Sequence, residues 1–534
     1  MNQIYSLVLN HSTGACQAVS EVAKGSRKAT SATGGEACAP RRTRLASACL
    51  IALATLAGTS AWAQDTSGTI TGARGTDGAF GLFNGGNGTA GSAAVQASSS
   101  GAHSGTLTGG GGGNGGAGSL RGGTGGSGGA GLSTAVDGVG LYNSGSIRGG
   151  QGGTGGSGFT RGAGGAGGAG VLLAAPSTLI NEGSIEGGRG GGLINIGFGN
   201  LATSAGGVGV TATGGASIEN GGTVRGGLSG DGLSRADAIR FTGDNNWLGL
   251  LPTSVIEGSV VGSASGDTLG LAGSTDASFN TALIGPAGQY RNFAGFQKLG
   301  TNTWTLTGAT TALTPWQILS GTLAISSDAS LGDAAGLLTL DGGTLRSTAD
   351  IATSRAMVLG DGGTLQTDAG TTYTANGVIS GLGGLTKAGE GTLIFTADNA
   401  YTGGTAITAG TLELGNGGTS SYIAGDVVNN GRLVFNSSDA VLFEGAISGS
   451  GSMVQRGTGT TTLAVDNTYT GGTAITAGTL ELGNGGTIGA IVGDVANGGT
   501  LAFNRSDAIV FGGVISGTGN AAAARHRLHH AFGC

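Results

Sequence analysis

Cysteine is nearly missing from the working part of this 534-residue chain. Cys16, Cys38 and Cys49 all precede residue 50, and Cys534 is the last residue. A disulfide scaffold is excluded. Histidine is as scarce: past residue 63 and before the closing His526, His529 and His530, only His103 remains. Ser-His-Asp and Cys-His catalysis therefore have one candidate base, set in glycine-rich sequence. Charged residues make up 10% of the chain, against about 25% in an average soluble domain. The net charge is −6, with no basic cluster to hold phosphates, so nucleic acid is a poor partner. Only 5 prolines accompany 121 glycines, and the glycines keep no strict three-residue period, which argues against collagen. Neither a G-x-S-x-G elbow nor a Walker loop occurs, and no cofactor is implied.

What is present begins with a leader. Arg41, Arg42 and Arg44 precede the apolar run "LASACLIALATLAGTS", and "AWA" follows. This is the charge, apolar core and small-residue exit of a secretory signal peptide. Ala61 and Ala63 form the cleavage site, and the exported chain begins at Gln64. The leader holds six basic and two acidic residues, so its removal leaves a more acidic product. An exported chain with no cysteine before its last residue, Cys534, suits passage through an oxidising periplasm and a narrow pore.

Internal repetition dominates the rest. "YTGGTAITAGTLELGNGGT" occurs at 401–419 and again, unchanged, at 469–487. Inside this 68-residue unit a shorter beat recurs, as "GTLAI" at Gly321, "GTLIF" at Gly391, "GTLEL" at Gly410 and "GTLAF" at Gly499. Its steps, mostly 19 to 22 residues, are those of one coil of a parallel β-helix. In "GTLEL", Leu412 and Leu414 share one side of a strand and Glu413 takes the other. Aliphatic rows then stack from coil to coil, and no coil buries its face alone. Upstream, "NSGSIRGG", "NEGSIEGG" and "NGGTVRGG" place Ile147, Ile185 and Val224 at one equivalent position. Runs such as "QGGTGGSGFTRGAGGAGGAG" between them have too few apolar groups to pack and are expected to leave the coils as exposed glycine-rich loops.

Two stretches carry a family resemblance. "MNQIYSLVLNHSTGACQAVSEVAKG" resembles the extended signal peptide region of autotransporters and related type V secreted proteins. "LTKAGEGTLIFTADNAYTGGTAITAGTLELGNGG" (385–418) resembles the autotransporter-associated β-strand repeat, less purely repeated at 453–486 and faintly at 296–308. The resemblance implies an all-β, right-handed parallel β-helix with glycine-rich loops, displayed at the cell surface. It also implies the general secretion machinery and an outer-membrane translocator as partners, with a host-cell, matrix or glycan ligand. The divisions expected are an extended signal peptide (1–63), a glycine-rich passenger with β-helix coils (64–235), a β-helix (236–380), the repeats (381–520) and an aberrant tail (521–534). Where the register calls for another repeat, the chain reads "NAAAARHRLHHAFGC". A frameshift or truncation near Asn520 accounts for it. The translocator barrel is then missing, and such a product would stop in the periplasm.

Candidate chemistry is thin. His526, His529, His530 and Cys534 are metal-ligand types without a core to hold them. Asp341 and Asp361 occupy matching "DGGTL" strings and could pair for acid/base work on a polysaccharide. Asp-Gly is also the commonest sort of turn, and that reading is favoured. Trp247, Trp304 and Trp316 are the only tryptophans past the leader that could stack on a sugar. The sequence supports a non-catalytic, adhesin-like or structural passenger. The alternatives are a polysaccharide-cleaving β-helix and a truncated fragment without function.

Overall fold

The computed structural model describes residues 5–9, 16–20, 66–192, 204–419 and 421–525. They fall into two units. In Met1–Ala61 the strands Tyr5–Leu9 and Cys16–Ser20 pair antiparallel. The second unit, Trp62–Cys534, is a parallel β-helix. Its described residues hold only two short 3₁₀ turns, Thr281–Leu283 and Asp328–Leu331, and otherwise strands of mostly three to five residues.

Each strand pairs in parallel with its counterpart one coil away. Ile185 lies between Ile147 and Val224, as the recurring strings predict, and all three are fully buried. A second ladder runs through Leu179, Ile218, Leu248, Leu269, Phe296 and Trp316. Farther on, Leu412 lies between Leu393 and Leu433, and Leu480 between Thr461 and Leu501. Side chains alternate across a strand, so each coil turns one set inward, and burial alternates accordingly. The core is one continuous column, with Leu412 and Leu480 both at 0% exposure. Gly410 and Gly478 turn the same corner in both 68-residue units, at φ 67° and 63°, a conformation glycine adopts at no steric cost.

Glu413 does not simply face solvent. It is buried and accepts two hydrogen bonds from Arg456, at 3.0 and 2.8 Å, and one from Asn436 at 2.6 Å. The partners lie one and two coils away, which no reading of a single strand shows. The ladder also runs into the segment set apart on sequence grounds. Asn520–Arg525 pairs with Thr500–Asn504, because an alanine run supplies the same backbone donors and acceptors as any strand.

The lysine of the "LTK" string has an internal task. Lys387 is fully buried, and its Nζ donates to the carbonyls of Ala388, Gly389 and Ala409 at 2.8, 2.7 and 3.3 Å. Lys298 makes the equivalent bonds to the carbonyls of Leu299, Gly300 and Ser320, and adds one to Asn302 Oδ1. In the third copy Gln455 reaches the carbonyls of Gly457 and Gly459. The shared job is to satisfy carbonyls turned inward at a corner, since a buried acceptor left unpaired is costly. Lys387→Gln should therefore shift stability by less than about 1 kcal/mol, and Lys387→Met should cost about 2–3 kcal/mol. Urea midpoints of the two variants measure the difference.

The glycine-rich segments are the largest departure from expectation. They do leave the coils, but as ordered, paired legs. One leg runs out at 109–118 and returns at 122–131, and the next at 149–158 and 162–170. Within each leg the hydrogen bonds repeat every three residues. Gly126 and Gly129 donate to Gly113 and Gly110 of the facing leg, at 2.7 and 2.8 Å. Gly113 donates to Thr89 of the coil before, at 2.8 Å. Gly112 and Gly115 donate to Gln151 and Thr154 of the coil after, both at 2.8 Å. A threefold repeat whose bonds all go to other segments is that of polyproline II. Side chains complete the third amide in places: Asn114 N–H donates to Asp77 and Thr154 N–H to Asn114 Oδ1, at 2.7 and 3.0 Å.

None of these leg glycines adopts the left-handed region. What they supply is space. A Cβ on Gly126 would overlap the carbonyl of Thr89, and one on Gly153 the carbonyl of Gly113. The absence of a three-residue period along the whole chain is thus misleading: the period is kept inside each leg and broken at every coil. Backbone bonding replaces the missing apolar side chains, which is how sequence with so few apolar groups packs.

Candidate functional site

Asp341 and Asp361 lie on neighbouring long strands, Leu338–Ser347 and Met357–Thr367. They are one residue out of register, since Asp341 pairs with Gly362. Asp341 Oδ1 accepts a hydrogen bond from the Asp361 backbone N–H at 2.8 Å. This use of a carboxylate is general in the molecule. Asp276, Asp350, Asp398, Asp426, Asp466 and Asp494 each accept from a backbone N–H one coil on, at 2.8 to 3.1 Å. The carboxylate spans two turns and satisfies an amide that no ladder reaches. Sequence reasoning missed the staple, though its signal was present as an Asp or Asn recurring at corner positions.

Beside Asp361 the turns form an open trough of ≈ 510 Å³, floored by Gly362, Gly384 and Gly403 and edged by Thr364, Thr386 and Asp426. Its walls carry hydroxyls, two carboxylates and backbone groups, but no aromatic side chain. Trp304 and Trp316 are buried in the core, and Trp247 donates its ring N–H to Gln297 at 3.1 Å. None of the three forms a sugar-stacking platform.

His103 is not in a glycine-rich loop. It ends the strand Gly101–His103, is 4% exposed, and has Nδ1 2.9 Å from Thr66 Oγ1. Its register partner is Asn143, which opens a buried asparagine ladder. Asn143 donates to Asn181, and Asn181 to Asn220, both at 2.7 Å. The Asn of the "NSGS", "NEGS" and "NGGT" strings carries this ladder. The sequence showed its recurrence but gave no reason to place it inside.

Among the described residues no group of three or more His, Cys, Asp or Glu could hold a metal ion. The cleavage-site residues Ala61, Ala63 and Gln64 lie outside the described residues, as do His526, His529, His530 and Cys534.

Comparison with known proteins bears on both ends of this picture. Residues 1–50 match the extended signal peptide of the type V secretion system. Residues 296–325, 385–414 and 453–482 match the passenger-associated-transport-repeat, at the three places where the sequence repeats its motif. Each match holds one of the clamping positions Lys298, Lys387 and Gln455. Over 192 residues the chain is 39% identical to the adhesin BmaC autotransporter of Brucella suis biovar 1 (strain 1330). That alignment covers 36% of this chain and 6% of the relative, so the chain spans a small part of the relative's length. No solved structure matches the chain.

Proposed function

We propose that this chain, which carries the extended signal peptide and the passenger repeats of type V secretion, acts outside the cell as an adhesive passenger without catalytic chemistry. The observation that carries the reading is its similarity to an adhesin autotransporter. The fold agrees with it. A parallel β-helix with legs offers a long, repetitive surface. Export would engage the general secretion machinery and an outer-membrane translocator. Host cells, matrix or surface glycans are the candidate ligands.

The trough beside Asp361 favours one second reading, a polysaccharide-cleaving enzyme. Against it, Asp341 is occupied as a coil-to-coil staple like six other aspartates. Cells displaying the chain should adhere to host cells or matrix at least about tenfold better than cells lacking it, a difference of about 1.4 kcal/mol. Asp341→Asn and Asp361→Asn should leave that adhesion unchanged. Glycan turnover by the purified protein, lost in either variant, would instead establish the enzyme.

A further inference from the structure

The turns that join outgoing and returning legs carry the most exposed aromatic side chains of the described residues. Phe80, Phe83 and Phe159 are 75, 61 and 93% exposed, and Leu82 and Leu120 are 72 and 56% exposed. The turns are stacked in register: Asn84 bridges to Arg121, and Arg121 to Thr160. Phe83, Leu120 and Phe159, each one residue earlier, therefore form a single apolar row across three coils. Among the described residues no other phenylalanine is strongly exposed.

We propose that this ridge seats on an anionic lipid bilayer surface, a partner that rests on the chain acting outside the cell. Three observations favour lipid. First, the row has one exposed apolar side chain per coil at Phe83, Leu120 and Phe159. At roughly 4.8 Å per coil the three described turns span about 10 Å along the stack, far short of the ~800 Å² that a stable protein partner covers on each side. Second, part of the turn backbone is already paired. Leu120 and Arg121 N–H donate to Phe83 O, Phe159 N–H to Ser119 O, and Thr160 N–H to Leu120 O, at 2.8 to 3.3 Å, while Ser119 Oγ donates to Leu82 O. Each such bond leaves one polar group fewer to strand in a water-poor interface. Third, residues 79–84, 118–121 and 158–161 contain Arg121 and Arg161 and no acid, in a chain of net charge −6. Exposed aromatics flanked by bases suit an anionic headgroup layer.

The test uses protein collected after export and carrying Phe159→Trp, which reports from the ridge itself. Vesicles of phosphatidylcholine with phosphatidylglycerol should shift its emission to the blue, and brominated lipid should quench it. Pure phosphatidylcholine should act more weakly. Adding Phe80→Ser, Phe83→Ser and Leu120→Ser should cut vesicle binding at least about tenfold with the circular dichroism unchanged. Arg121→Gln should reduce the preference for anionic vesicles by about fivefold. Emission unmoved by anionic vesicles, or binding indifferent to the three serines, overturns the proposal. Vesicle binding without cell adhesion would uphold the ridge and sink the adhesive reading. Cell adhesion by protein with an intact ridge that binds no anionic vesicles would do the reverse.

Discussion

Gly153→Ala is expected to destabilise the glycine-rich part of the molecule by about 3 kcal/mol or more, while Gly111→Ala, on a neighbouring leg, should be neutral or slightly stabilising. The two positions differ only in where a methyl group would go. At Gly153 it would run into the backbone of Gly113, packed against it in the preceding coil. Relief would require the two legs to part, breaking the bonds from Gly112 to Gln151 and from Gly115 to Thr154, both 2.8 Å. Overpacking a well-packed interior costs about 1–3 kcal/mol and more where the obstacle is backbone. At Gly111 the nearest atom is 3.6 Å away. Removing a glycine's freedom from the unfolded chain then gains about 0.4–1 kcal/mol. Thermal unfolding of both variants, followed by circular dichroism, checks the contrast. Equal effects would mean that the legs are not packed.

Stability should rise between about pH 8 and pH 10 and fall steeply above it. Burial lowers the pKa of Lys298 and Lys387 to about 8, against ~10.4 in an unfolded chain. Between those values the unfolded state binds more protons, so stability rises with pH. The tyrosines act in the opposite direction. Burial raises Tyr290, Tyr373 and Tyr401, and pushes Tyr469 up to about 12, from ~10 when unfolded. Above pH 10 the unfolded chain releases protons that the folded chain must keep. Each buried phenol then costs on the order of 2 kcal/mol by pH 12, and four of them, about 8 kcal/mol, are comparable with the whole stability of a typical domain, about 5–15 kcal/mol. Urea midpoints measured from pH 7 to 12 should therefore peak near pH 10. Tyr469→Phe should soften the alkaline fall, and Lys387→Met should reduce the rise before it. A midpoint that declines steadily from pH 7 would contradict the assignment.

The coil repeat was legible because its signal is local. "GTLEL" states its own strand, its corner and its inward face, and Leu412 and Leu414 lie where that pattern puts them. Ile147, Ile185 and Val224 were legible for the same reason. Contacts between coils were not. Glu413 reads as an outward residue until Arg456 arrives two coils later. Asp341 reads as a turn or a catalytic acid until the amide of Asp361 is brought beneath it. Lys387 reads only as one letter of a family motif until three carbonyls close around it. The legs were hidden for a different reason. Their packing is done by backbone groups that every residue has, and the sequence records only where a side chain would be in the way.

The central claim is that the glycine-rich segments are packed parts of the solenoid rather than solvated loops. Hydrogen exchange of backbone amides, resolved by residue across 109–131 and 149–170, tests it most directly. The account predicts protection with a period of three. Gly112, Gly113, Gly125 and Gly126 should exchange slowly, and Gly111, whose amide faces outward, should exchange fast. Uniform exchange at the rate of an unstructured peptide through both segments would contradict it.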